Sequence, residues 1–131
     1  PVLAIVSAIA GTQSSSRAGN QELPPLVEGY REIMIEVCTE YDMVDYVDIL
    51  LAIMAYETGG AGLDPMNSSE SSFNTRYPQV PGSIQDPRYS IDVAVRKFKY
   101  LAGEAGLESP SNLDLLKTVV QAYSFCVEYI P

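Results

Sequence analysis

The run from Val44 to Gly60 constrains this chain more than any other segment. Val44, Tyr46, Val47, Ile49, Leu50, Leu51, Ala52, Ile53, Met54 and Ala55 are interrupted only by Asp45 and Asp48. Both acids fall in what would be the first turns of a helix, where the positive end of the helix dipole favours them. A helix apolar on every side has no face to give to water and must be buried. Gly59-Gly60 then supplies a stop signal, because glycine readily adopts the left-handed conformation that ends helices. The pattern predicts a central helix over 44–57 carrying one carboxylate, Glu57, at its C-terminal end. Helix C-termini and apolar neighbours both disfavour an anionic side chain, so a carboxyl group placed there suits proton donation. A solvent-exposed, last-turn glutamate is the alternative this segment leaves open.

The rest of the chain reads as helices around that one. From Pro24-Pro25 onward, Leu26, Val27, Tyr30, Ile33, Met34, Val37, Cys38 and Tyr41 recur at helical spacing. Glu28, Arg31, Glu32, Glu36 and Glu40 take the opposite, solvated face, so an amphipathic helix is expected to pack on 44–57. Asp86-Pro87 opens another helix, with Ile91, Ala94, Val95, Phe98 and Ala102 inward and Gly103 and Gly106 ending it. Ser111-Asn112-Leu113-Asp114 resembles a capping box and starts a last helix on Leu113, Leu116, Val119, Val120, Tyr123 and Val127. Between them, 58–89 is rich in Gly, Ser, Asn and Pro, and too long for an idle connection. Next to Glu57, it reads as the wall of a cleft, with a short hairpin the one place for strand. The fold class is mainly α.

Composition narrows the chemistry. A chain of 131 residues supports one domain, and 47% hydrophobic residues can build a core without metal or a disulfide framework. A net charge of −9 argues against nucleic acid and against electrostatic binding to anionic lipid. The absence of histidine removes histidine acid–base chemistry, Ser-His-Asp triads and the commonest zinc ligand. Cys38 and Cys126 each lie on an apolar stripe and read as small buried hydrophobes. The alternative is a disulfide closing a long loop, worth about 4 kcal/mol. Residues 1–23 form a separate segment: Pro1–Ala10 is apolar apart from Ser7, and a Ser/Gly/Gln-rich linker follows. Ten residues cannot span a bilayer. Ala8-Ile9-Ala10 resembles a signal-cleavage pattern, so this segment reads as the remnant of a signal or membrane anchor, or else as a terminal piece packed on the domain at 24–131.

Three short motifs in order point further. Glu57-Thr58-Gly59-Gly60 is followed by Asp64-Pro65-Met66-Asn67-Ser68-Ser69-Glu70-Ser71, and later by Gln121-Ala122-Tyr123-Ser124-Phe125. The stretch from about Leu26 to Ile130 resembles the lysozyme-like domain of Gram-positive cell-wall hydrolases, within the goose-type lysozyme and lytic transglycosylase superfamily. In that superfamily an E-S-G-G-like turn carries the catalytic glutamate, an M-Q-like segment lines the glycan groove, and an A-Y-N-like motif closes the site. The resemblance implies Glu57 as general acid, with Asp64, Met66, Asn67, Ser68, Ser69, Glu70, Tyr123 and Ser124 as groove residues. It implies no cofactor and no metal.

Carried over, the resemblance implies a lysozyme-like helical domain that cleaves peptidoglycan between N-acetylmuramic acid and N-acetylglucosamine, outside the cell or in the wall. Inverting hydrolysis needs a second carboxylate, for which Asp64 and Glu70 are nearest in sequence. Without one, the substrate's 6-hydroxyl can attack and give an anhydro product, as in lytic transglycosylases. The chain departs from the pattern after Tyr123, where Ser124-Phe125-Cys126-Val127-Glu128 replaces an asparagine and a glycine-rich turn. That departure motivates a further alternative, a weakened glycan-binding or assembly domain of a cell-envelope or conjugation machine.

Overall fold

The computed structural model describes residues 22–124. Residues 1–21 and 125–131 lie outside it, and with them most of the N-terminal segment and Cys126. The described residues contain helices and irregular chain and no strand, so the hairpin allowed within 58–89 does not form. The helices are α1 (Pro25–Glu28), α2 (Arg31–Glu40), α3 (Val47–Glu57), α4 (Pro87–Ala105) and α5 (Leu113–Ser124), with a 3-10 turn at Val44–Tyr46 leading into α3.

Most of the apolar run is buried as its composition requires, but Val44, in the 3-10 turn, is 49% exposed. From Ile49 to Met54 every residue of α3 is buried, whereas Asp48 and Tyr56 are exposed and Ala55 and Glu57 are partly so. Helix α2 packs across α3 through Met34, Val37 and Cys38, and α4 in turn packs on α2 and α5. Leu50, Met54, Met66, Ile91, Phe98, Leu116, Val120 and Tyr123 belong to one continuous core. A smaller cluster of Ile84, Tyr89 and Val93, covered by Phe73 and Tyr77, seals the underside of the long loop.

Three local expectations are corrected. The helix expected from Pro24 to Tyr41 breaks at Gly29-Tyr30, which turns Leu26 out to 61% exposure instead of into the stripe. Gly103 lies inside α4; Gly106 alone ends it, at φ 79° with its N–H on Ala102 and Gly103 carbonyls. Helix α5 is capped by Asn112, whose Oδ1 accepts from Leu115 N at 3.3 Å. The box expected from Ser111 and Asp114 does not form; Ser111 Oγ bonds instead to Ser109. At the start of α4 the expected signal holds: Asp86 accepts from Arg88 N, and Pro87 takes the first position, where no N–H is needed.

Two outcomes follow from this core. Leu50 is fully buried, so Leu50→Ala should cost about 2–5 kcal/mol, seen as a lower denaturant midpoint at unchanged slope. Cys38 is a free, buried thiol whose burial pushes its pKa up to about 12. Only the thiolate reacts, so alkylation followed by peptide mapping should leave Cys38 unlabelled in the native protein and label it after unfolding.

Candidate active site

The turn after α3 sets Glu57 in place. Thr58 and Gly59 both donate their N–H to Met54 O, closing the helix tightly. Gly59 and Gly60 follow at φ 68° and 85°, in the left-handed region. Gly59 has open space where a side chain would be, whereas a Cβ on Gly60 would meet the backbone of Leu26 and Val27 at 2.9–3.0 Å. The second glycine is thus needed for close packing of the turn against α1. The Thr58 hydroxyl bridges outward: it accepts from Gly60 N at 3.0 Å and donates to Pro65 O at 2.7 Å.

That bridge leads into the long loop, which is organised by one carboxylate. Asp64 Oδ1 accepts from Ser68 N and from the Ser90 hydroxyl, and Oδ2 accepts from Ser69 N and from the Ser69 hydroxyl, all between 2.6 and 3.1 Å. A carboxylate has about four acceptor sites, so Asp64 is filled. Ser90, in the first turn of α4, completes the clamp by accepting from Met66 N and receiving the Ser68 hydroxyl on its carbonyl. Ser69 Oγ also accepts from Ile84 N, and Asn74 Nδ2 donates to Ser69 O. Further along, the Tyr89 hydroxyl accepts from Thr75 N and Arg76 N.

These contacts sort the residues singled out in the sequence. Glu57, half-buried, and Asn67, exposed, meet directly, with Asn67 Nδ2 donating to Glu57 Oε1 at 3.1 Å. The surroundings of Glu57 are therefore not wholly apolar, as the helix pattern alone suggested. Met66, Ser68 and Ser69 are buried, at 1–4% exposure, with their polar atoms turned into the loop. Glu70 is exposed on the same loop. Tyr123 is buried in the seam between α4 and α5, its ring 6.1 Å from Phe98 and 4.3 Å from Lys97 Nζ. Ser124 ends α5, and its buried hydroxyl has no hydrogen-bond partner among the described residues. An open cleft of about 330 Å³ is lined by Ala61, Gly62, Leu63 and Asp64 and by Gly82, Ile84 and Gln85, with Asn67, but not Glu57, on its wall.

Sequence reading gave no role to Ser90, which ties the clamp to α4, and took Thr58 only as part of the turn motif, not as the link to the loop. Ser90 had a signal: it stands one residue before Ile91 and four before Ala94, both on the inward stripe, and a buried hydroxyl there needs a partner. No group of three or more potential metal ligands occurs among the described residues.

With the helical fold and this acid-bearing turn established, comparison with known proteins places the chain. A family model for lysozyme-like domains matches residues 25–131, and the chain belongs to that family. It is 33% identical over 103 residues to the bifunctional muramidase/DL-endopeptidase CwlT of Bacillus subtilis (strain 168), covering 79% of this chain and 28% of that protein. It is 36% identical over 107 residues to a pneumococcal vaccine antigen A homolog of Streptococcus pyogenes serotype M1, covering 79% of this chain and 48% of that one. The uncharacterized membrane protein YocA of Bacillus subtilis (strain 168) is 31% identical over 101 residues, which is 77% of this chain and 41% of YocA. The chain thus spans less than half the length of these relatives. No solved structure gives a significant match.

The two glycines should respond differently to a methyl group. Gly59→Ala meets only the left-handed backbone penalty, about 1–2 kcal/mol, whereas Gly60→Ala adds a clash with α1 and should lose distinctly more. Melting temperatures of the two variants measure the difference.

Proposed function

We propose that this domain is a glycosidase of the peptidoglycan glycan strand, an N-acetylmuramidase in which Glu57 is the general acid. The observation that carries the reading is Glu57 itself, fixed at the end of a buried helix and met by the loop amide of Asn67. Membership of the lysozyme-like family and the similarity to a protein described as a muramidase support it. Glu57 would protonate the glycosidic oxygen between N-acetylmuramic acid and N-acetylglucosamine as an oxocarbenium-like transition state forms. Asn67 would border the groove, and Asp64, Met66, Ser68 and Ser69 would shape its wall from beneath. Glu70, Tyr123 and Ser124 are groove residues on the family resemblance alone, Tyr123 being packed in the seam between α4 and α5.

The second reading, a lytic transglycosylase, has one observation in its favour. Asp64 already accepts four hydrogen bonds and has no lone pair left to activate water. Attack by the substrate's own 6-hydroxyl needs no second carboxylate, whereas hydrolysis would fall to Glu70 as base. The substrate puts the site of action in the cell wall or outside the cell. Residues 1–23 would join the domain to a signal or membrane anchor. No helix among the described residues is long and apolar enough to cross a membrane.

Purified cell walls should lose turbidity with the wild-type domain, and mass analysis should find products that carry one added water for a muramidase or anhydro ends for a transglycosylase. Glu57→Gln keeps the shape but cannot donate a proton, so lysis should fall about a hundredfold or more. Near wild-type lysis by that variant would remove Glu57 from the chemistry.

A further inference from the structure

We infer that Asn67 is a positioning residue for Glu57: its side-chain amide holds the acid's carboxyl, and its contribution to turnover is made through that carboxyl. The inference rests on the reading of Glu57 as general acid. Glu57 is fixed at its Cα by α3, but three side-chain torsions lie between that point and the carboxyl, and the residue is only half-buried. Something outside the helix must choose the rotamer. Asn67 Nδ2 does so, donating to Oε1 at 3.1 Å. Oε2 then remains as the oxygen that carries the proton to a substrate.

The backbone of Asn67 is what gives that contact its direction. Its φ is 54°, in the left-handed region, and Asp42 is the one other non-glycine residue with positive φ among the described residues. Such a conformation costs a side chain energy and persists only where the surroundings enforce it. Here they do. Asn67 N donates to Asp64 O at 2.8 Å, Met66 N to Ser90 Oγ, and Ser68 N to Asp64 Oδ1, so the residue is clamped on both sides. Asparagine is among the side chains that best tolerate this region, and it is one methylene shorter than the glutamine of the M-Q-like motif. With two torsions on a fixed backbone, the amide has little freedom other than to face Glu57. The chain of support therefore runs from Ser90 on α4, through Asp64 and the turn, to Asn67 and the acid.

Three variants test this with soluble, uncrosslinked glycan strands as substrate. Asn67→Gly keeps the left-handed turn and deletes the amide, so the melting temperature should hold while kcat falls about ten- to a hundredfold at unchanged KM. Asn67→Asp keeps the size but sets a like charge beside Glu57, which disfavours a second negative charge there. The alkaline limb of its kcat profile should move to higher pH. A raised KM with intact kcat would make Asn67 a glycan contact instead, and unchanged kcat and pH profile would leave it a structural turn residue; either overturns the inference. Glu57→Gln runs in parallel: full activity there would sink the acid assignment and this inference with it. An inactive Glu57→Gln beside unaffected Gly and Asp variants would overturn the positioning role alone.

Discussion

The clamp around the Asp64 carboxylate is the interaction on which the site depends. About thirty residues between Glu57 and Pro87 form no regular element, and ordering that much chain costs roughly 1–2 kcal/mol per residue in backbone entropy. Their polar groups must also find partners without a helix or sheet to supply them. Asp64 meets both needs at one point, gathering two backbone N–H groups and two hydroxyls on a single charge. Hydrogen bonds to a carboxylate are about twice as strong as neutral ones, and neutral donors solvate the charge without a cation. Because one of the hydroxyls belongs to Ser90 on α4, the loop is tied to the helical body and not only to itself.

The acid-bearing side of the site is built on a different principle. Helix α3 is held by apolar burial, with Ile49, Leu50, Leu51, Ile53 and Met54 each at 0–1% exposure, so it can deliver Glu57 to a fixed place. Gly60 then lets the turn approach α1 more closely than any side chain would allow. Surface ion pairs add little by comparison. Arg31 joins Glu28 of α1 and Asp48 of α3, but its partners are about half exposed, and such pairs contribute at most about 1 kcal/mol. Two frames thus meet at the Glu57–Asn67 contact, one set by hydrophobic packing and one by hydrogen bonding. Each is rigid for its own reason, which makes their meeting point a good place for geometry-sensitive chemistry.

One position of the motifs singled out in the sequence falls on this same junction, and another lies at the end of α5. Asn67 reaches the acid from a left-handed backbone. Ser124, at the end of α5, has its hydroxyl buried without a partner among the described residues. The open cleft beside Asn67 has Leu63 and Gln85 on its lining, an exposed apolar side chain together with amide groups.

The helices and their buried faces were legible in the chain itself. A run such as Val44–Ala55 can satisfy its backbone and hide its side chains in one way only, and periods of three and four residues reveal the inward faces of α2, α4 and α5. Glu57 was legible for the same reason, since a carboxylate between an apolar helix and a glycine pair stands out locally. The break at Gly29-Tyr30 was not, because the apolar spacing continues through it and only packing against α3 turns Leu26 outward. Nor was the division of the loop into inward and outward residues. Asp64, Ser68, Ser69, Glu70 and Asn67 are all small or polar, and nothing in their order tells a buried clamp from an exposed groove. That distinction came from partners far along the chain: Ser90 lies 26 residues from Asp64, and Asn67 lies 10 from Glu57. Local periodicity determines which residues are buried in helices, because burial repeats with the helix turn. Hydrogen bonds in an irregular loop have no period, so only the tertiary structure decides which polar side chains hold the site and which face a substrate.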